Sequence, residues 1–178
     1  NDLLLASNGD PWTVAPFEVG PAYVVHPPFG KWVIAAGEAW LGVTPTGWRV
    51  GVLIAGLLAV VAVARIARRL LRSNFWGTVA GLLMAIDGLA IVMSRTAVLD
   101  NILEVCGVRA SGALLVDRDR VRRHIVEVLP GGSDPSVYFR DVSPPIPALR
   151  PWRVVAIILL GLACGVKWSG VWFVVAFG

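Results

Sequence analysis

The sequence predicts an all-α protein whose helices cross a membrane several times. Composition is the first observation behind this: of 178 residues, 56% belong to the hydrophobic set and only 16% are charged, against about 25% charged in an ordinary globular chain. A water-soluble domain of this size cannot cover so much apolar side chain, and the same composition excludes disorder. The second observation is that the apolar residues gather into runs approaching the length of a membrane crossing. The third is that basic residues sit at the ends of these runs. The net charge is +4 and 14 of the 16 basic residues are Arg, with no basic stretch interleaved with aromatics, so nucleic acid is not an expected partner. Cys106 and Cys164 lie inside apolar segments without a CxxC or Cys/His cluster and read as small core residues, not as metal ligands.

Residues 1–30 contain Asn8-Gly9-Asp10-Pro11, Pro16, Pro21 and Pro27-Pro28, a density of turn formers that prevents a spanning helix and predicts a loop outside the bilayer. Residues 31–47 are expected to hold an interfacial helix, roughly Phe29–Leu41, and a turn at Thr44-Pro45-Thr46-Gly47. Pro28 suits the first turn of that helix because its missing N–H costs nothing there. About 13 residues are too few to span, and Trp32 and Trp40 suit the headgroup region.

Residues 48–116 are expected to form three transmembrane helices. The first runs from about Trp48 to Ala67, uncharged between Arg49 and Arg65, whose side chains can snorkel to the two surfaces. Arg65, Arg68, Arg69 and Arg72 follow without an acidic neighbour, which places this connection in the cytoplasm. The second span, about Phe75–Met93, carries one charge, Asp87. After the corner Ser94-Arg95-Thr96 the third runs from about Ala97 to Val116, interrupted by Asp100, Glu104 and Arg109. Residues 117–151, opening on Asp117-Arg118-Asp119-Arg120 and rich in proline, read as a cytoplasmic loop. Residues 152–178 form one or two further membrane helices, with a break at Lys167-Trp168-Ser169-Gly170 that favours two. The chain has no initiator Met and stops within an apolar run, so it is expected to be a piece of a longer protein.

Alternation then puts residues 1–47, the corner at 94–96 and the break at 167–170 on the extracytoplasmic side. His26, Lys31, Arg95, Asp100 and Lys167 come from four separate stretches yet share one face, with Asp87 about 10 Å beneath it at the rise of a helix. Charges in spans are costly and mark sites or pathways. Two cations at an outer leaflet suit the phosphate of a lipid whose tail stays in the bilayer, although mutual pairing of the charges or a solute pathway would use the same residues.

Three stretches carry the argument further: His26-Pro27-Pro28-Phe29-Gly30-Lys31-Trp32-Val33-Ile34 with Gly37-Glu38; Asp87-Gly88-Leu89 with Ser94-Arg95-Thr96-Ala97-Val98-Leu99-Asp100; and Gly165-Val166-Lys167-Trp168-Ser169-Gly170. In this order they resemble the bacterial protein O-mannosyltransferases, multi-span glycosyltransferases of the GT-C class. The resemblance implies a partial GT-C transmembrane domain. The implied reaction moves mannose from polyprenyl-phosphate-mannose to Ser or Thr hydroxyls of exported proteins, on the extracytoplasmic face of the cell membrane. It also implies that Arg95 and Lys167 bind the donor phosphate, with His26, Asp87, Asp100 and Trp168 supporting the substrate cavity. The donor is a substrate, and neither a resident cofactor nor a metal is implied; the expected partners are membrane lipid, the lipid-linked sugar and a secreted acceptor protein.

The family's general base belongs to an Asp-Glu pair upstream of the His-Pro-Pro stretch. No Asp-Glu dipeptide occurs in this chain, so no catalytic residue is assigned and this piece alone is expected to be inactive. The alternatives are another GT-C transferase using a lipid-linked sugar, or a membrane transporter subunit.

Overall fold

The computed structural model describes residues 26–128, 147 and 149–177, and every regular element among them is a helix. The expected loop over residues 1–30 lies outside the described residues except at 26–30, and so does most of the proline-rich stretch. Helix α1 (Phe29–Leu41) occupies the expected positions, with the Pro28 carbonyl accepting from the Trp32 amide at 3.0 Å and Gly42, at φ 77°, ending it. Helix α2 (Pro45–Leu71) starts on a Thr44 cap, whose Oγ1 accepts from the Gly47 amide at 3.1 Å. Its 27 residues make it long and apolar enough to cross a membrane.

The second expected span is not continuous. Helix α3 (Asn74–Ile86) and helix α4 (Gly88–Arg95) meet at Asp87 with a 58° bend, and together they are apolar enough to form one broken crossing. Asp87 is extended, and its carboxylate accepts from the Ala90 amide at 2.8 Å, so it ends one helix and caps the next. Averaged hydropathy hides this, although Asp-Gly is a turn signal.

The third expected span also differs. Helix α5 runs from Leu99 to Val128, 30 residues, and so continues through twelve positions (117–128) assigned to a loop from sequence. The charges at 117–123 mark where the apolar surface ends, not where the helix ends: Arg is a good helix former, and water satisfies its side chain. Helix α6 (Pro151–Val166) is followed by a short 3₁₀ turn (Trp168–Gly170) and helix α7 (Val171–Phe177), so residues 152–177 form two helices.

Small residues face inward and large ones outward. Val52, Ala55, Gly56 and Ala59 follow one another at helical spacing along the buried side of α2. They meet Ile102, Leu103, Val105 and Cys106 of α5 and Ala163 and Val166 of α6. On the opposite side of α2, Leu57 is 60% exposed while Val52 is fully buried. Close backbone approach through Gly and Ala, with Leu and Ile left outside, is how helices pack when lipid is the solvent.

Contacts fix the helix directions. A side chain on Gly37 would strike the Gly47 carbonyl, and one on Gly51 would lie 2.8 Å from the Val33 carbonyl, so α1 and α2 are antiparallel neighbours. Gly77 lies against Arg68 and Gly81 against Ala64, which makes α2 and α3 a second antiparallel pair. Helix α5 runs alongside α2 in the same direction: Asn101 bonds the Val52 carbonyl at 2.8 Å, and Arg69 reaches Asp119 at 2.8 Å. Helix α6 returns antiparallel to α5, from Arg150 beside Asp117 to Lys167 beside Asp100.

The bundle therefore has an arginine-rich end, where α2 and α5 finish and α3 and α6 begin. Its other end holds the starts of α1 and α5, the finish of α4 and the break at Lys167. At the arginine-rich end burial opposes the charge on Asp119, but hydrogen bonds from Arg69 and Arg118 outweigh it and hold the carboxyl below its ordinary value of 3.8. A depressed carboxyl stabilises the fold above its unfolded value, and that contribution is lost as the pH falls through the folded one. In thermal melts of the full-length protein below about pH 4, the wild type is expected to lose part of its advantage over Asp119→Asn. An advantage that stays constant with pH contradicts the assignment.

The reversal after α6 rests on a glycine. Lys167 is extended, the Gly170 amide bonds the Lys167 carbonyl at 2.9 Å, and Gly170 lies directly on α6. A Cβ there would stand 2.5–2.6 Å from the Ala163 carbonyl group and the Cys164 nitrogen, all backbone atoms that cannot step aside. Gly170→Ala is expected to cost about 3 kcal/mol and to lower the melting temperature of the full-length protein; an unchanged melting temperature contradicts this packing.

Candidate functional site

Parts of all three singled-out stretches come together at the Lys167 end. Gly30, buried at the start of α1, lies against Leu99 and Val166, and Gly165 touches Phe29. The first turn of α1 is thereby wedged between the start of α5 and the finish of α6. His26 stands just before this wedge, with its Nδ1 buried and, among the described residues, without a hydrogen-bond partner.

The centre of the site is an ion pair. Lys167 Nζ donates to Asp100 Oδ1 at 2.8 Å, both side chains about one-third exposed. Lys167 follows the last turn of α6, where its positive charge faces the negative end of the helix dipole. Asp100 lies in the first turn of α5, where the dipole favours a carboxylate. The lysine uses one of its three donors on Asp100 and makes no other side-chain hydrogen bond among the described residues.

Arg95 stands at the other side of this corner, in the last turn of α4, five positions before Asp100. It is exposed, and among the described residues its guanidinium makes no ion pair. Asp100 pairs with Lys167 and not with Arg95, while Asp87 is spent on capping α4 at the far end of that helix. Mutual neutralisation of Asp87, Arg95 and Asp100 is therefore not what the structure shows. Trp168 projects from the 3₁₀ turn, 71% exposed, next to the lysine. Lys31, in the first turn of α1, is exposed as well.

A residue the sequence reading passed over holds the corner in place. Asn101 is 1% exposed; its Nδ2 donates to the Val52 carbonyl at 2.8 Å and to Ser94 Oγ at 3.4 Å. Ser94 in turn donates to the Ala90 carbonyl at 2.7 Å. Gly56 leaves the space, since a Cβ there would run into Ser94. The amide thus bolts the α4–α5 corner, and with it Arg95 and Asp100, onto α2. An amide side chain inside an apolar run was the available signal, overshadowed by the neighbouring aspartate. Glu104 and Arg109, five positions apart on α5, make no ion pair with each other. Among the described residues no three His, Cys, Asp or Glu side chains are grouped to hold a metal ion.

What this end can do chemically is hold an anion beside an apolar surface. Lys167, paired with a carboxylate, and Arg95, without an ion pair among the described residues, lie at the same end of the bundle as the exposed Trp168 indole. Arg supplies a planar fork for phosphate oxygens and Lys a compact charge.

Residues 25–116 match the family model described as dolichyl-phosphate-mannose-protein mannosyltransferase. A polyprenol-phosphate-mannose–protein mannosyltransferase of Mycobacterium tuberculosis (strain ATCC 25618 / H37Rv) is 46% identical over 164 residues, covering 90% of this chain and 30% of the relative. The proteins of that name from Mycolicibacterium smegmatis (strain MKD8) and Corynebacterium glutamicum (strain ATCC 13032) are 44% and 37% identical over 163 residues, each covering 90% of this chain and 31% of the relative. The chain thus spans about 30% of the length of the curated relatives it matches. No solved structure gives a significant match. With the matched region running from the His-Pro-Pro stretch through the α4–α5 corner, the chain belongs to the dolichyl-phosphate-mannose-protein mannosyltransferase family.

Proposed function

We infer that this chain forms the donor-phosphate end of an enzyme that moves mannose from a polyprenyl-phosphate carrier to Ser or Thr hydroxyls of exported proteins. The observation that carries this is the Lys167–Asp100 pair, at the end of the bundle that also holds Arg95, which makes no ion pair among the described residues. The sugar, the carrier and the protein acceptor are those in the names of the mycobacterial and corynebacterial relatives. The reading adopts a multi-span GT-C arrangement in the cell membrane. The Arg65–Arg72 connection and the charged finish of α5 then lie in the cytoplasm, and the Lys167 end faces outward.

In this reaction an acceptor oxygen attacks the anomeric carbon as the bond from that carbon to the phosphate oxygen breaks. The electron pair leaves with the lipid phosphate, and the hydroxyl proton passes to a carboxylate base. Within this chain the contribution falls on the leaving group. Arg95 and Lys167 neutralise charge that grows on the phosphate, an effect felt more in the transition state than in the ground state. Asp100 keeps the lysine aimed, Asn101 holds the corner, and His26 and Trp168 flank the bound donor.

The test is transfer itself. Membranes containing the full-length protein, supplied with polyprenyl-phosphate-[¹⁴C]mannose and a Ser/Thr-rich peptide, are expected to label the peptide through an alkali-labile linkage. Label appearing only in lipid or glycan would instead indicate another lipid-linked sugar transferase. Transport of a solute without any transfer would indicate a transporter, a reading the family match leaves unsupported.

A further inference from the structure

Among the described residues the largest concentration of charge lies at the opposite end of the bundle from Lys167, and the transfer chemistry above does not use it. A cavity of about 840 Å³ opens between α2, α5 and α6. Six arginines line it: Arg65, Arg68, Arg69, Arg109, Arg120 and Arg123. Among the described residues only one of them is ion-paired, Arg69 with Asp119. Its walls are apolar, formed by Leu58 and Val61 of α2 and Leu159 of α6. Arg120 is held in place over the Trp152 ring at 5.4 Å.

Arg109 is the telling member. It sits eight positions before Asp117, about 12 Å toward the middle of the bundle at 1.5 Å per residue, within the stretch that otherwise reads as a membrane span. A charge at such a depth is costly unless an opposite charge or water meets it, and Glu104 does not pair with it. Its side chain joins the arginines of α2 around the same cavity.

We propose that this cavity is a second lipid site, which binds the phosphate headgroup of an anionic glycerophospholipid from the leaflet at the arginine-rich end. The guanidiniums hold the headgroup oxygens in forks, and an acyl chain lies along Leu58, Val61 and Leu159, where α2 is already half-exposed. Headgroup charge answers the arginine cluster, including Arg109. The apolar wall is what separates a lipid from a soluble phosphate. The proposal stands apart from the transferase reading, since its test reads lipid retention and not transfer.

Native mass spectrometry of the full-length protein, released from micelles with equimolar phosphatidylglycerol and phosphatidylcholine, measures it. Phosphatidylglycerol is expected to be retained in preference. Arg65→Ala with Arg109→Ala is expected to weaken that retention about 25-fold, at about fivefold per arginine, while R65K with R109K retains most of it. Arg72→Ala removes a charge at the same end but outside the cavity, and is expected to change retention less than twofold. Should the double variant fail to fold, Arg109→Gln alone is expected to show the fivefold loss. Equal retention of the two lipids overturns the proposal, as does a loss for Arg72→Ala matching that of the cavity variants. Full displacement by inorganic phosphate in modest excess does the same, because the apolar wall would then contribute nothing.

Discussion

Replacing Lys167 by Met in the full-length protein is expected to lower mannosyl transfer about 100-fold or more, read as initial rate at saturating lipid-linked donor. Two effects add. The leaving phosphate loses one of its two neutralising charges, and Asp100, 2.8 Å from the ammonium in the intact site, is left as an unpaired carboxylate. An uncompensated anion at this position repels the very group the site must stabilise. The double variant Lys167→Met with Asp100→Asn is therefore expected to recover part of the lost rate, and Asp100→Asn alone to cost about tenfold. The cycle distinguishes a positioning role for Asp100 from direct substrate contact, since a positioning carboxylate has nothing to act on once the lysine is gone. Strict additivity of the two substitutions contradicts the pair as the working unit.

Arg95→Ala is the second large effect, again about 100-fold in turnover, with a different signature. The guanidinium is exposed and makes no ion pair among the described residues, so its removal takes away charge without disturbing packing. The melting temperature is expected to stay within a degree or two, while turnover collapses. Arg95→Lys keeps the charge but loses the planar fork, and is expected to fall between wild type and alanine. Near-normal turnover of the alanine variant removes Arg95 from the donor-phosphate role and leaves Lys167 alone there.

These two predictions rest on residues visible in sequence, and the corner that carries them shows how far such legibility extends. Arg95, Asp100 and Lys167 stand out because charge is rare in apolar runs. That Asp100 belongs to Lys167 and not to the nearer Arg95 is invisible along the chain: it depends on α6 ending beside the first turn of α5. The same holds for Asn101, whose partners, the Val52 carbonyl and Ser94, lie on other helices. Asp87 shows a local signal misweighed. Its Asp-Gly pair announces a break, but an average over the surrounding apolar residues conceals the 58° bend.

The arginine-rich end shows the converse. Arg65 to Arg72 and Asp117 to Arg123 are plain in sequence as two charged connections, and both were read as loop. The structure continues both as helix, α2 to Leu71 and α5 to Val128, and joins them through Arg69 and Asp119. Charge tells where apolar surface stops, which is a statement about solvent. The backbone carries on wherever its own hydrogen bonds and side-chain propensities allow.

By itself, then, the sequence determined the helical class, the positions of α1 and α2, the break at Lys167 and the family, because composition, periodicity and short motifs are properties of neighbouring residues. Only the tertiary structure decided which charges meet, where the second crossing bends and that six arginines surround one cavity. Those outcomes depend on the approach of distant helices, set by where glycine and alanine let backbones touch, and no window along the chain contains that information.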